Sequence, residues 1–230
     1  SNTASAENAS AFGYVNEASG LASSALGFRN KAANENASAV GYGNNAGGVA
    51  SSAFGFSNVA KVDYASAFGY SNEASGLASS AVGFRNKAAS ENASAVGYGN
   101  NANALAASAV GYGNTAGGLA SSAFGFSNTA SGDNANAFGY NNIASGSKSN
   151  VFGTGNTVSG SSSNAVGTAN EVAAENSTAI GNNNTISSGA ENSAALGNNI
   201  SISLKDSVAL GNNSAATAIN SVTGNSSYTK

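Results

Sequence analysis

The sequence predicts an all-β fold, a parallel β-roll (β-solenoid) wound in 14-residue turns, and three observations carry that expectation. Glycine recurs at fourteen-residue steps from Gly13 to Gly181, then at Gly197 and Gly211 after a single sixteen-residue step. The residue before each of these fifteen glycines is large and apolar, from Phe12 and Leu26 to Leu196 and Leu210. The residue two before is Ala in fourteen of the fifteen turns, Val151 being the exception. A unit this short cannot enclose a core of its own. It has to be one coil of a winding chain that buries apolar surface against the coils above and below.

The phrase around each glycine, Ser10-Ala11-Phe12-Gly13-Tyr14 in the first turn, reads as a strand. Side chains alternate along a strand, so the bulky residue before the glycine and the residue after it share one face, while Ala and Gly share the other. Neither face is polar, as expected of a strand covered on both sides. A thin coil covers only one, so the second face needs another surface, most economically an identical coil. The bulky position is expected to fill the lumen and the Ala and Gly column to line the seam between copies; the exchanged assignment satisfies the same alternation.

The rest of the turn fits a bend and a second, shorter strand. Asn lies three residues after the glycine in every turn from Asn16 to Asn184, and two residues further comes Ala18, Ala32, Ala46 and onward. Asn suits turn geometry, and its amide can bond backbone or stack into a ladder. Two short strands per turn leave room for two bends, hence a flattened two-sided coil. Fifteen turns at about 4.8 Å each form a rod on the order of 70 Å long. The remaining Ser, Gly, Asn and Ala residues are expected to close the loop at the solvent.

Charge and duplication support stacking in register. Glu17 and Lys31 occupy one phase in adjacent turns, as do Glu73 and Lys87, and Arg29 with Glu35 and Arg85 with Glu91 are expected to add similar pairs. Residues 10–46 and 66–102 are copies that differ only at Val15/Ser71, Leu26/Val82 and Asn34/Ser90. Their offset is 56 residues, four whole turns, which keeps the phase.

Two changes mark the later chain. Through Tyr140 the residue after each glycine is Tyr or Phe; from Gly153 it becomes Thr154, Thr168, Asn182, Asn198 and Asn212. The Ala of the short strand becomes Val158, Val172 and Ile186, which is expected to refill the volume the aromatics leave. The two extra residues before Gly197 are expected to form a looser loop. Residues 1–213 are read as the repeat domain and 214–230 as a tail or the start of a following module.

Composition narrows the function. The chain has no His, Cys, Met, Trp or Pro, which removes the common general base, the thiol nucleophile and the usual zinc ligands. Charged residues are 8% of the chain and the net charge is −3, so no basic footprint for nucleic acid is present. Gly41-Tyr42-Gly43, Gly97-Tyr98-Gly99 and Gly111-Tyr112-Gly113 lack the Gly-Lys-Ser/Thr continuation of a phosphate loop. Left-handed helix acyltransferases repeat every six residues, and calcium-binding nonapeptides need recurrent Asp. No enzyme, cofactor or metal site is expected, and no ligand-binding residue is assigned. The bulky residue held at one phase through fifteen turns also argues against a disordered Asn/Ser-rich chain.

The phrases Asn192-Ser-Ala-Ala-Leu-Gly197, Ser177-Thr-Ala-Ile-Gly181 and Ser207-Val-Ala-Leu-Gly211 resemble the head repeats of trimeric autotransporter adhesins, the YadA-like family of Gram-negative bacteria. The likeness spans roughly residues 4–215. It implies a left-handed β-roll, three chains packed about one axis, and a coiled-coil stalk and outer-membrane anchor elsewhere in the protein. It also implies an extracellular, non-enzymatic adhesin that attaches to host extracellular matrix or cells, and to other bacteria, through multivalent repeats. The alternative function is a rigid spacer that holds another binding tip away from the cell.

Overall fold

A computed structural model describes residues 1–217, and within them the chain forms a two-sheet parallel β-solenoid without a helix. Each turn contributes one five-residue strand, such as Ser94–Tyr98, and one two-residue strand, such as Asn101–Ala102. The long strands stack into a 15-stranded sheet and the short ones into a 16-stranded sheet, each in simple sequence order. Register is one whole turn: Ala81 pairs with Ala95, Val82 with Val96 and Gly83 with Gly97.

The two faces of the long strand are the reverse of the first assignment above. Ala95, two before the glycine, is fully buried in the lumen, whereas Val96 is 37% exposed on the outside of the chain. The same holds along the column, with Ala39, Ala53 and Ala67 inside and Phe68, Phe152 and Ile180 outside. The physical reason is space. Opposing walls only one long and one short strand wide leave a lumen that Ala from each wall fills, while a Phe ring does not fit. The Ala of the short strand, Ala102 for instance, supplies the facing wall and is equally buried.

The recurrent glycine has two causes. At Gly97 the backbone turns to φ +119°, a region that side chains avoid, and an added Cβ would run into the carbonyl oxygen of Gly111 and meet Asn100 Nδ2 at 3.1 Å. Stacking at β spacing therefore forbids any side chain at this phase.

The carbonyl that the glycine leaves free belongs to a buried amide ladder, as the Asn spacing predicts. Asn100 Nδ2 donates to Val96 O at 2.9 Å in its own turn, to Gly111 O at 2.7 Å in the next, and to Asn86 Oδ1 at 3.0 Å in the previous one. Its Oδ1 in turn accepts from the backbone N–H of Asn114 at 2.9 Å. These Asn residues are not themselves the bend. The left-handed residues are the one before each Asn, Val15 at φ 55° in the first turn, and a second in the opposite bend, Ala22 at φ 51°. A β-branched residue in that region is uncommon, and neither bend carries a glycine signature in the first turn.

The ladder ends where Asn gives way to Ile200, which is buried and whose backbone N–H donates to Asn184 Oδ1 at 3.0 Å. Just before it, the two extra residues lengthen the second bend: seven residues, 187–193, join Ile186 to Ala194 where five suffice in other turns. Gly181 still pairs with Gly197, so the longer loop is absorbed without loss of register. The second bend is not wholly solvated as expected, since Ser23, Ser51 and Ser79 in it are buried. Residues 218–230, most of the expected tail, lie outside the described residues.

The refilling expectation is corrected as well. Val158, Val172 and Ile186 are buried in the lumen, whereas the aromatics that disappear after Tyr140 stand on the outer face. Volume gained inside the coil cannot replace volume lost outside it.

Candidate functional site

The outer face of the long-strand sheet carries three parallel columns, set by the alternation of the strand. At the start of each strand stands a small polar residue, Ser94 for instance; in the middle the bulky residue, Val96; at the end the aromatic, Tyr98. Through Tyr140 the middle and end columns are both apolar and uncovered. Phe68, Val82, Val96, Tyr70, Tyr98 and Tyr112 are all between 37% and 45% exposed. A contiguous apolar strip of this kind marks an interaction surface.

The aromatic column is a continuous stack. From Tyr14 to Tyr140 each ring lies parallel to the next, with centroids 4.7 Å apart at Tyr98 and Tyr112 and 5.3 Å apart at Phe126 and Tyr140. The rings face one another along the rod, so only their edges and the Tyr hydroxyls point outward. Offset or parallel stacking of this kind stabilises by about 0.5–1.5 kcal/mol per pair. A flat partner cannot lie on ring faces that are already occupied.

The charged residues sort by bend. Lys31 Nζ lies 3.2 Å from Glu17 and Lys87 Nζ 3.9 Å from Glu73, the in-register pairs expected from their phase. The pairs expected of Arg29 with Glu35 and Arg85 with Glu91 do not form. Arg29 stands at the first bend and Glu35 at the second, and the guanidinium carbon lies instead 5.2 Å from the centre of the Phe28 ring, as that of Arg85 lies 5.1 Å from the centre of Phe84. Two aspartates of the second bend serve the backbone: Asp63 Oδ1 accepts from Val49 N–H at 2.8 Å and Asp133 Oδ1 from Leu119 N–H at 3.0 Å. Among the described residues no three His, Cys, Asp or Glu side chains gather as a metal site would require. The three Gly-Tyr-Gly segments lie at the end of the long strand and run into a bend and a short strand, with their Tyr residues in the aromatic column.

A stacked-coil repeat with a long uncovered strip, and its buried Asn amides spent on one another and on its own backbone, defines the class of parallel β-solenoid repeat proteins. Comparison with known families gives the particular one. The family model described as YadA head domain repeat (2 copies) matches residues 18–44, 46–72, 74–100, 116–142, 159–184 and 205–222. The chain belongs to this family, that of the heads of trimeric autotransporter adhesins, which are non-enzymatic. The longer gaps between matches, 101–115, 143–158 and 185–204, contain the Tyr112 strand, the first turn after the change at Tyr140 and the lengthened bend. Compared with curated proteins, the chain has no match.

Proposed function

We propose that three copies of this chain pack their long-strand faces about a common axis, each coil left-handed, as the adhesive head of a bacterial surface fibre. Residues 1–213 would be the head and 214–230 a tail or the beginning of the next module. The fibre would stand outside the cell, attached to the outer membrane by a C-terminal anchor elsewhere in the full-length protein. One observation carries the reading: among the described residues, the middle and end columns of the long strand, apolar for ten turns, form an extended apolar face that the chain's own coil leaves open. Covering such a face at about 25 cal/mol per Å² is the driving force for assembly.

The polar short-strand face, with Glu17, Lys31, Asn45 and their equivalents, then points away from the axis. Repeated on three chains, it offers many weak identical patches to a repetitive partner such as extracellular matrix, a host-cell receptor or another bacterium. Linked weak sites raise avidity by about 10²–10⁴ without any strong individual contact.

Sedimentation equilibrium of the purified chain tests the assembly, with a mass of three chains expected and a single-chain mass overturning it. Attachment to matrix-coated surfaces and host cells tests the adhesion. Binding that falls when Glu17, Lys31 and Asn45 equivalents are replaced by Ala supports the adhesive head, whereas a trimer inert to every surface supports a rigid spacer.

A further inference from the structure

The start and end columns of the long strand exchange size together along the chain. In nine successive turns, from Ser10/Tyr14 to Ser122/Phe126, a small start residue accompanies an aromatic end residue. The next turn, Asn136 with Tyr140, is the changeover. After it the start residue grows while the end residue shrinks: Asn150 with Thr154, Asn164 with Thr168, Thr178 with Asn182. Ala194 with Asn198 departs from the trend, and Val208 with Asn212 resumes it.

Within one chain these columns do not touch. They lie four residues apart along an extended strand, about 13 Å, on the same face. Each column is moreover held to itself along the rod: the rings by stacking, Asn136 by donating to Asn150 Oδ1 at 2.8 Å, and Asn182 by donating to Asn198 Oδ1 at 2.7 Å. A size exchange between two ridges that never meet in the chain requires a surface where they do meet.

We infer that the end column of one copy packs on the start column of the next copy, turn for turn and without axial shift, so that rings sit over serines early and Thr or Asn sits beside Asn late. The inference rests on the three-copy assembly proposed above and specifies its pairing. When identical strands run round a common axis in one sense, the end of each strand points at the beginning of its neighbour. Register follows from the changeover. A copy shifted by several turns would set aromatic turns against Asn136, Asn150 and Asn164, and an antiparallel copy would set the Tyr14 end against the Asn212 end. The polar ladders after residue 136 therefore act as a terminus for the aromatic zone and fix how far the copies slide.

Cross-linking tests the pairing cleanly because the chain has no cysteine of its own. The full chain carrying Ser94→Cys and Tyr98→Cys is treated with a thiol cross-linker much shorter than the roughly 13 Å between the two positions in one chain. A closed covalent species of three chains is the expected product, with none from either single variant. The pairing is overturned if the double variant still sediments as three chains yet does not cross-link, or if Ser94→Cys alone links copies in pairs. Efficient linking of Ser94→Cys with Tyr140→Cys, three turns away, would overturn the unshifted register. Single chains on sedimentation of the unmodified protein would overturn the three-copy reading itself. Should the Cys variants fold poorly, size complementation replaces them. Ser94→Asn and Tyr98→Thr are each expected to lower the melting temperature, the second through its lost stacks on Phe84 and Tyr112, and the double variant, the combination found at residues 150 and 154, is expected to fall by less than the sum of the two. Strict additivity would count against the contact.

Discussion

The turns up to Tyr140 and those after it share the glycine stack and the long-strand wall of the lumen, and differ in the facing wall and on the exterior. Both keep the stacked glycine, a buried residue two before it that is Ala in every turn but that of Val151, and the Asn ladder as far as Asn184, while the facing Ala becomes Val158, Val172, Ile186 and Ile202. Outside, one region shows ten stacked rings and the other Thr and Asn. The coil's own construction thus holds the lumen to Ala, Val or Ile, while the outer face is free to vary between aromatic and polar residues with what covers it. The copied block teaches the same lesson, since none of its three differences, Val15/Ser71, Leu26/Val82 and Asn34/Ser90, falls on a buried position.

The largest effect is expected from a charge in the shared interior. Ala95 and Ala179 both face the lumen and are fully buried. Ala95→Asp and Ala179→Asp should each cost more than about 3 kcal/mol, because an unpaired carboxylate is taken out of water. Urea unfolding followed by circular dichroism should show the coil itself weakened in both regions. A folded variant that merely fails to associate would return Ala to the seam.

Next comes the ladder. Asn100→Ile leaves Gly111 O, Val96 O and the Asn114 N–H without their amide partner, at about 1–3 kcal/mol for each buried group left unpaired. Ile200 already occupies that phase at the ladder's end, where Asn184 Oδ1 accepts from its backbone N–H, so Ile200→Asn removes no amide on which the neighbouring turns rely and should cost less than Asn100→Ile. Equal effects at the two sites, measured as urea midpoints, would erase the distinction between a continuous ladder and its terminus.

Much of this was legible in residue spacing: the coil, its register, the ladder and the Glu–Lys pairs all follow from one phase repeated. The identity of the inner face was not, because alternation groups side chains by face without saying which is inside. The discriminating signal was present in the repeats. The inner position is Ala in fourteen of fifteen turns, while the outer one runs through Phe, Leu, Val and Ile, as a narrow lumen beside a permissive surface requires. The left-handed bends were illegible for a different reason: Val15, Ala22 and Tyr64 adopt φ of 51–60° without being Gly or Asn. Stacking of the next coil imposes that conformation over local preference. Arg29 misled because its phase and that of Glu35 belong to opposite bends.

A smaller effect sharpens the contrast between inside and outside. Val96 is 37% exposed in the single chain, so Val96→Ala should cost the isolated coil less than about 1 kcal/mol. In an assembly the same methyl groups are covered by other copies, and the loss then depends on protein concentration. Melting curves over a hundredfold dilution should separate the variant from the parent most at low concentration. A concentration-independent difference would mean that the outer column is not an interface.

The smallest effect concerns the short-strand face. Glu17–Lys31 and Glu73–Lys87 are about half exposed, so each pair should contribute about 0.2–1 kcal/mol in a double-mutant cycle. The contribution should vanish in 1 M salt, where the screening length falls to about 3 Å. The later region supplies the control, since Glu171 pairs with Thr157 and Thr185 in the neighbouring turns and has no cation in its column there. Glu73→Gln should therefore flatten the salt dependence of unfolding, and Glu171→Gln should leave it unchanged. If both variants flatten it alike, the salt dependence reports the chain's overall charge and not stacking in register.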